Sequence, residues 1–145
     1  MSHAQTNDTL FPELAPDPVY QPQEVVGIQM RALGRNDSPY ENAGIELTFR
    51  FASPANKINT GPLEKFATLF DLVDYAPMIN HRSLEIGEPQ LQNETAFVPV
   101  IIISGSDERI GYLFRLSKQS ESPFEDAWMT DGVSRVNLPD ATQAM

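Results

Sequence analysis

Acid–base chemistry near neutral pH needs an imidazole or a carboxylate in a suitable setting, and this chain offers one candidate of each. His81 is the only histidine outside the N-terminal stretch, and imidazole is the side chain that titrates near neutrality. It closes the segment YAPMINHR, just before the strand-like part of the chain, where a pocket rim would fall. Its nearest carboxylate, Glu85, lies in a run that reads as strand and is carried away from it. A structural histidine therefore competes with a catalytic one. Asp131, in WMTDGV, follows Met129 by two residues, which places both on one strand face. A carboxylate among apolar neighbours can serve as the base of an isomerase. The preferred reading is a cross-strand pair with Arg115, which shares its face with Leu113.

Binding groups are more numerous. Tyr75, Tyr112 and Trp128 combine large apolar surfaces with a polar handle, which suits either a ligand pocket or a core. Gln29 falls inside an apolar helical stripe, so its amide must find an interior partner or face a cavity. No metal-ligand spacing, glycine-rich phosphate loop or nucleophile elbow is present, and no cofactor motif is evident. The absence of cysteine excludes disulfides, thiolate nucleophiles and cysteine metal sites.

The elements that must position these groups follow from periodicity. In PQEVVGIQMRALGRND, Pro22 fits the first helical turn and Glu24 the positive end of the dipole, while Gly34 to Asp37 supplies the stop. Val25, Val26, Ile28, Ala32 and Leu33 form the apolar stripe. GIELTFRFAS fits a strand or a helix, and periodicity does not decide between them. In FASPANKINTGPLEKF, Ser53-Pro54 ends one element, residues 56–59 bridge, and Thr60-Gly61-Pro62 restarts a helix carrying Leu63, Phe66, Leu69, Phe70 and Val73. The alternative for the bridge is a pocket-mouth role for Asn56 or Lys57. YAPMIN makes a turn or one short helical turn, because Pro77 forbids continuation.

After His81 the runs SLEIGEPQL, ETAFVPVIIIS, RIGYLFRLS and AWMTDGVSRV are β-branched and aromatic, with Gly105, Ser106 and Asp107 at a hairpin turn. The second run is apolar at nearly every position, so both of its faces should be covered. Pro99 within it implies a bulge or an unpaired edge position. Helices first and strands afterwards mean α+β: two to three helices on one face of a curved antiparallel sheet of about four strands. Residues 1–21, with three prolines, read as an extended or mobile arm in which Leu10, Phe11 and Leu14 could dock. Residues 137–145 read as a similar tail, leaving 22–136 as one domain.

At 145 residues the chain suits a single domain with a real core. Its net charge of −10 opposes binding to nucleic acid and to anionic membrane surfaces alike. No apolar run is long enough to span a bilayer and no secretory signal is evident, so a cytoplasmic location is expected.

The segments EVVGIQMRALGRND, GIELTFRFASPANKINTGPLEKF, YAPMINHR, YLFRLSKQ and WMTDGV resemble the nuclear-transport-factor-2-like (cystatin-like α+β) superfamily. Within it they are similar to a bacterial domain family without an assigned activity. The resemblance implies a cone-shaped pocket between helices and a curved sheet, and a homodimer formed through that sheet. It also implies that the ambiguous GIELTFRFAS is the second helix, ending near Ser53. Some members are isomerases, dehydratases or hydrolases and others only bind, so fold alone does not choose. The first expectation is a binder of a small molecule through Gln29, Tyr75, Tyr112, Arg115 and Trp128. The alternatives are an isomerase- or dehydratase-like enzyme using His81 or Asp131 as base, and a protein-interaction module.

Overall fold

In the computed structural model, which describes residues 14–138, the helices come first and the strands follow. Pro22–Gly34 forms α1, Ala43–Arg50 α2, Pro54–Thr60 α3 and Leu63–Thr68 α4, with 3-10 turns at Leu69–Asp71 and Ala76–Met78. The strands are β1 (Ser83–Ile86), β2 (Gln90–Gln92), β3 (Thr95–Ile103), β4 (Arg109–Lys118) and β5 (Trp128–Val136). They pair antiparallel in the order β1-β3-β4-β5, with β2 also on β3. The α+β reading therefore holds, with one more helix and one more strand among the described residues than expected.

The helix α1 begins as its sequence indicates. Pro22 occupies the first turn, and the Gln21 backbone N–H donates to Glu24 Oε1 at 2.7 Å, satisfying one donor that a helix start leaves open. The ambiguous GIELTFRFAS is helical, because burial of Ile45, Leu47 and Thr48 follows helical spacing. Asn36 fixes its start: the Asn36 side chain accepts from the Ile45 N–H at 2.9 Å and donates to Asn42 Oδ1 at 2.9 Å. The two helices cross closely at Gly44, where a Cβ would overlap the Ala32 carbonyl.

Two expectations about this half need correction. Residues 56–59 are no bridge but part of α3, since Ser53-Pro54 starts a helix as well as ending one. The Asn56 N–H donates to Ser53 Oγ at 3.2 Å and proline takes the first position. Val73 lies beyond the helix end at Asp71 and is 80% exposed. Leu10 and Phe11 lie outside the described residues, whereas Leu14 packs partly buried against the core and Tyr20 stacks near Phe51 with ring centroids 6.3 Å apart.

The core lies between α1 and the inner face of the sheet. Val25, Val26, Met30 and Leu33 pack with Val98, Val100 and Ile102 of β3 and with Tyr112, Phe114 and Leu116 of β4. The outer face of β3 is not covered as expected: Phe97, Ile101 and Ile103 are half-buried and Pro99 is exposed. Pro99 does occupy an edge position. The neighbouring strand breaks there between Ile86 (opposite Val100) and Gln90 (opposite Phe97), so the missing N–H costs the ladder nothing. The Gly87 N–H still reaches the Pro99 carbonyl at 2.8 Å.

The free edge of β5 is used once. The Thr130 N–H donates to the Phe51 carbonyl at 2.9 Å and the Ser53 N–H to the Thr130 carbonyl at 2.8 Å, an isolated parallel bridge between Ala52 and Thr130. That bridge holds the junction of α2 and α3 against the sheet.

Close helix contact at Gly44 makes a specific demand. Gly44→Ala should destabilise by roughly 1–3 kcal/mol through overpacking against backbone. Gly105→Ala, whose nearest neighbour would be the Asn80 carbonyl at 3.5 Å, should change stability by less than about 0.5 kcal/mol. Urea unfolding of both variants checks the contrast.

Candidate functional site

A cavity of about 340 Å³ opens between the helices and the β4–β5 half of the sheet. Phe66, Leu69, Phe70, Tyr75, Met78, Phe114 and Val133 supply its apolar wall, and Gln29, Thr48, Asn56, Asn59, Thr60, Thr130 and Asp131 its polar side. Its volume falls at the lower end of the range for small-molecule sites. Aromatic contacts stiffen one wall, with Phe49 and Phe66 centroids 4.9 Å apart and Phe66 and Phe70 centroids 5.6 Å apart.

Most of the polar groups are already engaged. Gln29 is buried, donates through Nε2 to the Thr48 carbonyl at 3.0 Å and accepts from the Thr130 hydroxyl at 2.7 Å. Both sequence readings of Gln29 are thus realised at once: it faces the cavity and is tied down. Asn56 Nδ2 donates to the Thr130 carbonyl at 3.1 Å, and the Thr60 hydroxyl donates to the Asn56 carbonyl at 2.9 Å. The Tyr75 hydroxyl donates to the Val133 carbonyl at 2.8 Å. Lys57 projects elsewhere, over the rings of Phe49 and Phe124. Desolvation lowers its pKa, and the nearby Arg50 charge adds to the effect.

Asp131 is different. The register of β4 with β5 shifts there: Arg115 faces Gly132 while Leu116 faces Thr130, leaving Asp131 as the extra residue of a β-bulge. The bulge breaks the two-residue alternation, so Asp131 does not share the Met129 face and lines the cavity instead. The expected pair with Arg115 does not form; Arg115 is exposed on the outer face. Among the described residues the Asp131 carboxylate has no hydrogen-bond or ion-pair partner, and it is the only charged side chain lining the cavity. Glycine inside a strand often marks a bulge, and Gly132 is the sequence feature that the simple alternation reading of WMTDGV passed over.

The remaining sequence candidates lie elsewhere. Tyr112 is wholly buried in the core, donates to the Asp74 carbonyl at 2.7 Å and has its pKa pushed up to about 12 by burial. Trp128 belongs to the same core, at the start of β5. His81 is remote from the cavity lining, with Nε2 2.7 Å from the Met30 carbonyl oxygen. Of the candidate catalytic and binding residues, the fold brings together only Gln29, Tyr75 and Asp131. Asn56 joins them because the Ala52–Thr130 bridge sets α3 across the opening. Among the described residues no group of three or more histidine, cysteine, aspartate or glutamate side chains is arranged to hold a metal ion. No described helix is long and apolar enough to cross a membrane.

No family model, curated protein or solved structure matches this chain.

The Gln29–Thr130 bond should couple the two layers measurably. Gln29→Leu and Thr130→Val should each destabilise by about 1–3 kcal/mol, since each strands a buried partner, and the double variant should cost less than their sum. Denaturant unfolding of the four-protein cycle gives the coupling, and strict additivity would show that the bond joins nothing.

Proposed function

We propose that the protein binds a small, largely apolar molecule bearing a hydrogen-bond-donating or cationic group, held in the cavity between helices and sheet. The observation that carries this reading is the unpartnered Asp131 carboxylate at the edge of an aromatic-lined space whose buried polar side chains, Gln29, Thr48 and Thr130, bond within the protein. An apolar ligand body would fill the Phe66, Phe70 and Met78 side, and an amine or hydroxyl would meet Asp131. The nuclear-transport-factor-2-like arrangement inferred from the sequence fits such a pocket and is part of the same proposal.

A catalytic alternative, an isomerase- or dehydratase-type reaction, would have Asp131 as its base. His81 and Tyr112 line no part of the cavity, and the Tyr75 hydroxyl is committed to Val133. Acid–base catalysis needs a second polar group within reach of the base, so binding is the reading these contacts support better.

Ligand-observed NMR against a fragment library should return amine-bearing aromatic hits. Asp131→Asn should weaken them about tenfold, as loss of a charge-assisted hydrogen bond would. Neutral analogues should be little affected. Asn59→Trp, at an exposed helical position on the opening, should block all of them. Hits indifferent to both changes would show that binding occurs elsewhere and would remove the proposal.

The homodimer expected through the sheet is part of the same proposal, supported by an outer face where Phe97, Ile101, Ile103 and Leu113 are half-buried with Pro99 exposed among them. Sedimentation equilibrium should find a dimer that Ile101→Lys dissociates without unfolding. A wild-type monomer at the highest soluble concentration would end this part of the proposal.

A further inference from the structure

The basic side chains of this acidic protein are not evenly spread. A depression of about 570 Å³ on the other side of α1 is lined by Arg31, Arg35, Arg82 and His81, with Leu14, Ile28 and Leu84 as its main apolar surfaces. It shares no residue with the cavity described above. Three of the chain's ten lysines and arginines therefore meet in one place, while among the described residues no aspartate or glutamate lines it. Arg31 and Arg35 lie at the C-terminal end of α1, where positive charge offsets the helix dipole. That accounts for two of the three and leaves Arg82, from the start of the sheet, unexplained.

Asp107 forms an ion pair with Arg82, but the two side chains are 70% and 59% exposed respectively. Such a surface pair exchanges readily for another anion. His81 adds an independent observation. Its Nε2 must donate to the Met30 carbonyl, which leaves Nδ1 buried and without a partner. It is the only buried side-chain nitrogen or oxygen so placed among the described residues. Buried polar atoms are ordinarily satisfied; in this tautomer Nδ1 is an acceptor, which the O–H of a protonated phosphate head group would meet and a carboxylate would not.

We propose that this depression binds an oxyanion carried on a short apolar chain, with the arginines holding the carboxylate or phosphate and Leu14, Ile28 and Leu84 covering the chain. Guanidinium groups suit both oxyanions because their paired N–H groups match two oxygens at once. The apolar surfaces distinguish such a ligand from a free inorganic ion.

Isothermal titration calorimetry of the full chain at low salt tests this with hexanoate, hexyl phosphate and inorganic phosphate as probes. At least one of the two amphiphiles should bind, and whichever binds more tightly identifies the head group. Arg31→Gln combined with Arg35→Gln should weaken that binding about tenfold or more. Arg109→Gln combined with Arg115→Gln removes the same charge from other exposed positions and should leave affinity nearly unchanged. The proposal is overturned if neither amphiphile binds, if both double variants lose affinity equally, or if inorganic phosphate binds as well as hexyl phosphate. Because Leu14, Ile28 and Leu84 lie outside the central cavity, failure here would leave the amine-binding reading untouched.

Discussion

Thr130 is the residue on which the two layers of this protein meet. Its hydroxyl donates to Gln29 of α1, its N–H to the carbonyl of Phe51, and its carbonyl accepts from both Ser53 and Asn56. Gln29 in turn donates to the Thr48 carbonyl of α2. One strand position thus fixes α1, the end of α2 and the start of α3 relative to the sheet. Apart from the part-buried Asn56 contact, these bonds join buried residues, where an unmade bond costs far more than a made one contributes. The layers can meet in only one register if every partner is to be satisfied, and that register leaves space beside β5.

The bulge adjoining Thr130 turns this space into a site. Without the extra residue Asp131 would alternate onto the outer face, near Arg115, and the cavity would be lined by uncharged groups alone. With it, the outer face keeps an unpaired arginine and the cavity gains an unpaired carboxylate. Bulges commonly re-aim a side chain in this way. The cavity is apolar on the α4 and 3-10 side because that segment contributes Phe66, Leu69, Phe70 and Met78, whose rings and chains close it without polar gaps.

Charge is distributed with similar economy. In a chain of net charge −10, a depression walled by three arginines and, among the described residues, by no carboxylate is a local inversion of the field. α1 separates the two candidate sites, presenting Gln29 to one and Arg31 and Arg35 to the other. One helix therefore borders both the cavity that holds a lone carboxylate and the depression that gathers three arginines.

The residues by themselves determined the order of elements, the first helix with its stop, the β-rich second half, the hairpin at Gly105 to Asp107, and that Pro99 sits at a bulge or a gap in the ladder. Each of these rests on local sterics or on the period of an apolar stripe, which a short window contains. Gln29 was legible for the same reason, as a polar residue where the stripe demanded an apolar one. Tertiary structure alone decided that Asn56 and Asp131 look into the same space, that Tyr112 and Trp128 do not, and that His81 stands with three arginines on another face. Those outcomes depend on hydrogen bonds between residues far apart in the chain, such as Asn56 with Thr130 and His81 with Met30, and on a one-residue shift of register. A local window holds neither, because register is chosen by the sum of pairings across the whole sheet.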